Sequence, residues 1–250
     1  MGSSSIIYDE KLKIEIDYDR IKSNIQEELK EYLDLFKFDD NSRELSYRTE
    51  GPLIPHDNGK TPILLLLSNP HPHSVRQGMF LSPNRAGKEN PFWNTLRGTG
   101  HFKHVNPITP SLMIKNQYNS PFRIFIAVLI SFPSNFPHEL TKIFGMNEYR
   151  RMIFSGQNKI QKMVTNHNIK NIICFGKTQY DIMASISSPK QYTYILRQGS
   201  IIQNNASFSR VVNVFLTFPT GWRFVKNSQD IKNKNLKQIM EFILQISSSR

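Results

Sequence analysis

The second part of the chain contains four short, mainly apolar runs. They cover residues 63–67, 124–130, 172–175 and 211–217. Polar residues do not alternate with the apolar ones in these runs, which is typical of parallel strands covered on both faces. The pattern therefore predicts four buried strands in one sheet.

The segments between and after these runs have apolar residues at helical spacing. This spacing predicts helices at residues 92–96, 149–167, 178–186 and 232–246. Alternating strands and helices predict an α/β fold, a three-layer α/β/α domain with a four-stranded, mostly parallel central sheet. In such sheets the functional site lies beyond the carboxyl ends of the strands. These ends are the loops that begin at Ser68, Ser131, Gly176 and Phe218.

The N-terminal part has a different pattern. Apolar residues recur at helical spacing within residues 21–36, which predicts a helix there. Residues 39–61 are polar and contain glycine and proline, which indicates a linker. We therefore predict an acidic N-terminal helical extension and linker over residues 1–60, followed by a second domain over residues 61–250.

Charge is divided unevenly between these two parts. The net charge is +12, with a balance of −6 over residues 1–57 and +18 over residues 58–250. A body this basic attracts polyanions, and nucleic acid leads that class. A lysine-rich composition does not explain why acids are scarce after Asp57, and no strongly basic amphipathic helix favours an anionic membrane. The acidic extension would pack as an extra helix, recruit a partner or shield the basic surface by mimicking phosphates.

The single cysteine, Cys174, lies in an apolar run and is interpreted as a buried structural thiol rather than a nucleophile. One cysteine excludes an internal disulfide and cysteine-rich metal sites. No apolar run approaches the roughly 20 residues that cross a bilayer, and the N-terminus lacks a secretory pattern. We expect an intracellular monomer without metal, cofactor or membrane attachment, nuclear in a eukaryote and cytoplasmic in a prokaryote.

The first predicted strand ends in Asn69, and two prolines follow within three residues. Proline fixes its own backbone, so this loop leaves the sheet stiffly and holds Asn69 in place. Farther along, Gly78 permits close approach of the backbone, and Phe80 offers a flat ring. Residues 90–96 then read Asn-Pro-Phe-Trp-Asn-Thr-Leu at a predicted helix start.

This arrangement resembles the first signature of the uracil-DNA glycosylase superfamily. It is most similar to the mismatch-specific and single-strand-selective monofunctional branches. The resemblance implies that Asn69 positions the attacking water and that Phe80 stacks on the extruded base. It also implies a structural role for Phe92 and Trp93.

The last predicted strand runs into Phe-Pro-Thr-Gly-Trp-Arg, which is similar to the family's second motif. The resemblance implies that Gly221, Trp222 and Arg223 contact DNA, with Trp222 filling the space that the flipped base leaves. An aromatic wedge and a phosphate-binding arginine suit that role. Lys177 lies in a Gly-Lys turn that also resembles the family and is predicted to bind DNA. Phe218 departs from the family, in which a histidine or an asparagine stands at that position.

The scarcity of carboxylates after Asp57 limits the chemistry that the second part of the chain can perform. Residues 58–141 contain two carboxylates, Glu89 and Glu139, a poor supply for a two-metal nuclease or a carboxylate-pair glycosidase. Hydrolysis of a uracil N-glycosidic bond needs less, because the leaving base is a fairly stable anion. The protein has to flip the base, orient a water and donate hydrogen bonds to the base. Asn69 can orient water without ionising, and His71 can donate.

Two further side chains have two interpretations each. The bulk of His71 would exclude the 5-methyl group of thymine, or the residue is an exposed loop histidine with no role. Asn135 would read the polar edge of the base with its amide, or it caps its own loop.

Three functions remain open from the sequence. The leading one is a DNA glycosylase that flips out uracil or a related deaminated base and leaves an abasic site for base excision repair. The alternative is a non-catalytic nucleic-acid-binding protein with a glycosylase-like fold, which Phe218 favours. An enzyme of free nucleotides is a third, and the basic body disfavours it because a small substrate needs only a local positive site.

Overall fold

A small antiparallel sheet and a helix form the start of the chain in the computed structural model. The structure describes residues 6–104, 108–184, 201–203, 212–217 and 228–248, with the backbone alone for 201–203 and 228–232. The N-terminal elements are β1 (Ile7–Lys13), α1 (Tyr18–Glu28), a 3-10 helix (Lys30–Leu35), β2 (Phe36–Asp39) and β3 (Glu44–Glu50). The three strands pair in the antiparallel order β1-β3-β2.

The predicted extension is helical in part and stranded in part. The helix expected over residues 21–36 is present to Glu28, and a tighter 3-10 helix replaces it from Lys30 because Tyr32 has a non-helical backbone. The segment interpreted as a linker contains β3. In that strand Leu45, Tyr47 and Thr49 are buried and alternate with more exposed residues, which is the pattern of a half-buried strand.

The central sheet contains five strands. They are β4 (Thr61–Leu67), β5 (Phe122–Val128), β6 (Asn171–Cys174), β7 (Ile201–Gln203) and β8 (Asn213–Leu216). The order is β5-β4-β6-β8-β7, and the first four are mutually parallel. These are the four predicted strands, so the mostly parallel sheet is confirmed. The short β7 pairs antiparallel with β8 and adds an edge strand that the apolar runs did not predict.

Helices cover both faces of this sheet. They are α2 (Pro72–Gln77), α3 (Pro91–Gly98), α4 (Pro110–Ile114), α5 (Glu139–Phe144), α6 (Met146–Asn166), α7 (Lys177–Ala184) and α8 (Ser228–Ser248). Along β4, Leu64 and Leu66 enter one apolar cluster, which includes side chains of α1, α6 and α7. Ile63 and Leu65 enter the other, with α3 and α8. The three-layer α/β/α architecture is therefore confirmed.

The extension shares its core with the α/β domain. Ile21, Ile25 and Leu29 of α1 belong to the same buried cluster as Leu64 and Leu66 of β4. Removing the extension would therefore uncover apolar side chains of the central sheet. No helix in the described ranges is both long and apolar enough to cross a membrane.

Cys174 is fully buried in β6, as the apolar run predicts. Burial raises the pKa of its thiol, because the charged thiolate is disfavoured away from water. The thiol is therefore a packing group.

Candidate functional site

Three of the four predicted loops meet at one edge of the sheet. β4 is hydrogen-bonded to β5 on one side and to β6 on the other, all parallel, so their carboxyl ends lie together. Ser68 follows β4, Ser131 lies three residues after β5, and Gly176 lies two residues after β6. The loop that begins at Phe218 lies outside the described residues.

The Asn69 amide bridges two of these loops. Its Nδ2 donates to the carbonyl of Pro70 at 3.2 Å, to the carbonyl of Ser134 at 3.1 Å and to Ser134 Oγ at 3.0 Å. Carbonyl oxygens only accept, so they fix which end of the amide faces them. Asn69 Oδ1 is left as an acceptor with no hydrogen-bond partner among the described residues. The half-buried side chain thus presents one fixed acceptor at the edge of the sheet.

Ser134 is the other half of this connection. It is 1% exposed, its N–H donates to the Pro70 carbonyl at 3.2 Å, and its hydroxyl donates to the Phe136 carbonyl at 2.9 Å. Because that hydroxyl proton is engaged, its oxygen faces Asn69 as an acceptor. The loops after β4 and β5 are therefore joined both by a backbone hydrogen bond and by hydrogen bonds of side chains.

Gln179 joins the loop after β6 to the loop after β4. This α7 residue is 3% exposed, and its Nε2 donates to the Gly176 carbonyl at 3.1 Å. Its Oε1 accepts from the Ser68 N–H at 2.9 Å and from Ser68 Oγ at 3.1 Å. A Cβ at Gly176 would lie 2.3 Å from the end of the Gln179 side-chain amide, so a side chain there would displace the amide. Gln179 thus fixes the residue that precedes Asn69.

His71 caps α2 two residues after Asn69. Its Nδ1 accepts from the His73 N–H at 3.1 Å, so in the neutral ring the proton is on Nε2. Desolvation, followed by the positive charges of His73 and Arg85, lowers the pKa of His71. The residue is exposed, and its ring makes an edge contact with Tyr32, 6.3 Å between the ring centroids. The residue therefore offers a neutral N–H donor to the solvent.

Two arginines of the first loop are engaged by the acidic extension. Arg76 pairs with Asp34 and also donates to the Glu31 carbonyl at 2.6 Å. Arg85 pairs with Glu31 and donates to Tyr32 Oη at 3.1 Å. The Arg76 guanidinium also lies 4.6 Å from the centre of the Tyr32 ring. The 3-10 helix of the extension is thus docked beside His71.

Phe80 packs in the core and Gly78 ends a helix, and these structural roles account for both residue types. Phe80 is 3% exposed and belongs to the apolar cluster that contains Phe92 and Trp93. Gly78 ends α2 with φ +74°, a backbone conformation that favours glycine. Phe92 and Trp93 are buried at α3, consistent with the structural role expected of them. Stacking of Phe80 on a base remains a prediction.

Asn135 lies beside the site through its neighbour Ser134. Its N–H donates to Glu139 Oε2 at 3.0 Å, so the loop is capped by α5 and not by the Asn135 side chain. The half-buried Asn135 amide has no hydrogen bond within the described part of the chain. It is therefore available to a ligand, and its base-reading role remains a prediction.

Of the four residues predicted to bind DNA, Lys177 lies within the described part of the chain. Its Nζ pairs with Asp181 one turn along α7, and 32% of the side chain is exposed. Gly221, Trp222 and Arg223 lie outside the described residues, so their predicted roles stand on the sequence alone.

The chain matches no protein-family model, and no curated protein matches it. What the edge can do chemically follows from the groups that it carries. It offers a neutral N–H donor at His71, together with an amide oxygen at Asn69 and an amide at Asn135 that have no partner among the described residues. No group of three or more histidine, cysteine, aspartate or glutamate side chains in the described ranges has the arrangement to hold a metal ion.

The sequence did not reveal the residues that support Asn69. Ser134 lies in a loop that was predicted only from its place after a strand. Gln179 lies in a predicted helix, where nothing in the sequence indicates that this polar side chain is buried. The acidity of the extension was visible, but the pairing of Glu31 and Asp34 with two particular arginines was not.

Proposed function

We propose that the protein is a DNA glycosylase that flips out uracil, or a related deaminated base, and hydrolyses its N-glycosidic bond. The observation that carries the proposal is the Asn69 amide, fixed by two carbonyl oxygens so that Oδ1 faces away from them as an acceptor without a partner among the described residues. An acceptor of this kind orients a water molecule without ionising. Its position after β4 is also the position that the resemblance to uracil-DNA glycosylases implies for the water-positioning residue.

The reaction needs one water and no other reactant. An O–H of the water donates to Asn69 Oδ1, which turns a lone pair of the water oxygen toward C1′ of the flipped nucleotide. The bond between C1′ and the water oxygen forms as the C1′–N1 bond breaks. The electron pair of the C1′–N1 bond leaves with the base, which departs as a uracil anion. The water proton passes to solvent and then to the base. The products are an abasic site and free uracil.

His71 provides the second interaction in this scheme. A neutral imidazole with its proton on Nε2 can donate to an oxygen of the departing base, where negative charge develops. Its lowered pKa keeps the ring neutral at pH 7, so it stabilises the anion without transferring a proton. Positive charge on the sugar is balanced by the DNA phosphates, and the basic body holds those phosphates near the site.

The test is cleavage of labelled oligonucleotides that carry one uracil, single-stranded or opposite guanine or adenine, followed by alkali. Alkali-labile breaks are expected in the wild type and should fall by at least about a hundredfold in Asn69→Ala. Asn147→Ala is the matched control, because this asparagine is exposed at the start of α6. Equal activity of Asn69→Ala and the control would contradict the proposed role of Asn69.

A second candidate is a nucleic-acid-binding protein that retains the fold without catalysis. Burial of Phe80 favours it, because the ring presents no open face for a base in this structure. The departure at Phe218 points the same way. Tight, salt-dependent DNA binding with no abasic sites from uracil, hypoxanthine or xanthine substrates would establish this candidate and exclude the glycosylase.

A further inference from the structure

A cavity lies between the extension and α6, beside the start of the loop that follows β5. Its volume is about 250 Å³, enough for about eight water molecules or a small organic ligand. Side chains of β1, β3 and α6 line it, together with the segment that continues from β5. They include Tyr8, Glu10, Tyr47, Glu50, Leu129 and Lys159.

Glu50 is the unusual member of this lining. Its side chain is 2% exposed, and neither carboxyl oxygen has a hydrogen-bond partner in the described part of the chain. A buried carboxyl group without a partner is costly, and native proteins rarely retain one. Burial raises the pKa of Glu50 to about 8, so the group is mainly the neutral acid at pH 7.

The other charged groups around the cavity are already paired. Glu10 accepts from Lys159 at 2.6 Å and from Tyr8 at 3.2 Å, and Arg151 pairs with Glu148 at 3.3 Å. The groups that line the cavity and can carry charge are Tyr8, Glu10 and Lys11 of β1, Tyr47 and Glu50 of β3, and Glu148, Arg151 and Lys159 of α6. Lys11 pairs outward with Glu44, and Tyr47 is hydrogen-bonded to Ser131 at 3.0 Å. Glu50 alone in this set lacks a partner, so the cavity lacks a cation or a hydrogen-bond donor.

The remaining lining restricts what that cation can be. Apolar side chains form much of the wall, including Leu129, Phe132, Met152 and Ile160. Hard divalent metal ions require several oxygen ligands, and the described residues provide no such group here. An organic cation instead places its charged head on a carboxylate and its hydrocarbon body against the wall.

We propose that this cavity binds a small organic cation, an ammonium or amidinium compound with a compact apolar body, whose charged head pairs with the Glu50 carboxyl group after that buried group turns toward the ligand. Pairing needs the carboxylate, so the neutral acid loses its proton to solvent as the N–H of the ligand donates to the oxygen that results. No covalent bond is made. The site is independent of the proposed glycosylase reaction and uses none of its residues.

The test is calorimetric titration of the full chain with benzylammonium, with benzyl alcohol as the neutral isostere. We expect one saturable site for the cation, release of close to one proton per ligand at pH 7, and about tenfold tighter binding at pH 7 than at pH 6. Binding should stop tightening near pH 8. In Glu50→Gln it should weaken by at least about tenfold and lose its pH dependence, whereas the exposed Glu15→Gln should leave it unchanged.

A second variant tests the place of binding without altering Glu50. Ser155 is exposed where it lines the cavity, and Ser155→Phe should fill space there and abolish binding while circular dichroism stays that of the wild type. Absence of saturable binding at millimolar benzylammonium would overturn the proposal. So would equal binding of benzyl alcohol, or binding that survives both substitutions. Uracil cleavage is measured separately, so neither result depends on the other.

Discussion

Asn69 and Ser134 are 65 residues apart in the sequence, yet the amide of the first donates to both the carbonyl and the hydroxyl of the second. This pair joins the loop after β4 to the loop after β5. The orientation of the Asn69 amide, and with it the direction of its free Oδ1, is therefore set by a residue on another strand.

Ser134→Ala removes one of the acceptors that orient Asn69 and leaves the carbonyl in place. One net hydrogen bond is worth about 1 kcal/mol, so we expect kcat to fall by about three- to tenfold with KM nearly unchanged. Single-turnover cleavage of a uracil oligonucleotide measures this. Ser23→Ala, an exposed α1 serine, is the control. A parallel loss of stability and of both kinetic constants would indicate a purely structural role.

His71→Asn separates the two roles of this histidine. Asparagine is a good N-cap and can still accept from the His73 N–H, but it is too short to replace the Nε2 donor. We expect thermal stability close to that of the wild type and a kcat about a hundredfold lower. His71→Ala should lose the same activity and also about 1 kcal/mol of stability. Full activity of His71→Asn would show that the ring does not act on the base.

The sequence was sufficient for the four parallel strands of the central sheet, because continuous apolar runs are typical of parallel strands, but not for the short edge strand β7. It was also not sufficient for β1, β2 and β3, which form one small antiparallel sheet and lack such runs. Asn69 was identifiable from its place at a strand end. Its partner Ser134 was not, since a hydrogen bond across the sheet depends on the exact path of two loops.

Phe80 shows a different limit. The resemblance implies a ring that stacks on a base, and in the structure the ring packs in the core with Phe92 and Trp93. An apolar ring near a site has the same sequence pattern in both cases. Only the packing around it distinguishes them.

Gln179→Met tests the support behind Ser68. Methionine has a similar volume but leaves the Ser68 N–H without its acceptor, whereas the Gly176 carbonyl keeps the Tyr180 N–H. A buried unsatisfied group costs about 1–3 kcal/mol, and we expect a loss of stability in that range by urea unfolding. Gln26→Met, at an exposed position of α1, is the matched control. A cost no larger than that of the control would mean that water replaces the amide.

Glu50→Gln should make the protein less sensitive to alkaline pH. Burial raises the pKa of Glu50 from 4.5 to about 8, so between these values the unfolded chain releases a proton that the folded protein keeps. Wild-type stability therefore falls as pH rises through this range, by on the order of 3–5 kcal/mol. Urea unfolding should show the variant more stable than the wild type at pH 8 and similar at pH 5. Parallel pH curves for the two proteins would contradict this, and Glu15→Gln is the control.

The acidic extension offers a test of charge shielding. Truncation is unsuitable, because α1 shares the core of the central sheet, so the test is the double substitution Glu31→Gln and Asp34→Asn. These side chains pair with Arg76 and Arg85 on the surface, where ion pairs contribute little to stability, and the fold should persist. The two arginines then lose their carboxylate partners and can bind DNA phosphates instead.

We expect this double variant to bind non-specific duplex DNA more tightly at low salt and to show a steeper salt dependence. Two additional phosphate contacts raise the slope of log K against log salt by up to about 1.8. The control is Glu15→Gln with Glu27→Gln, which changes the net charge equally at exposed positions away from the arginines. Fluorescence anisotropy over a salt series distinguishes the two. If both double variants bind DNA equally well, net charge alone acts and the contact between the extension and the first loop does not shield it.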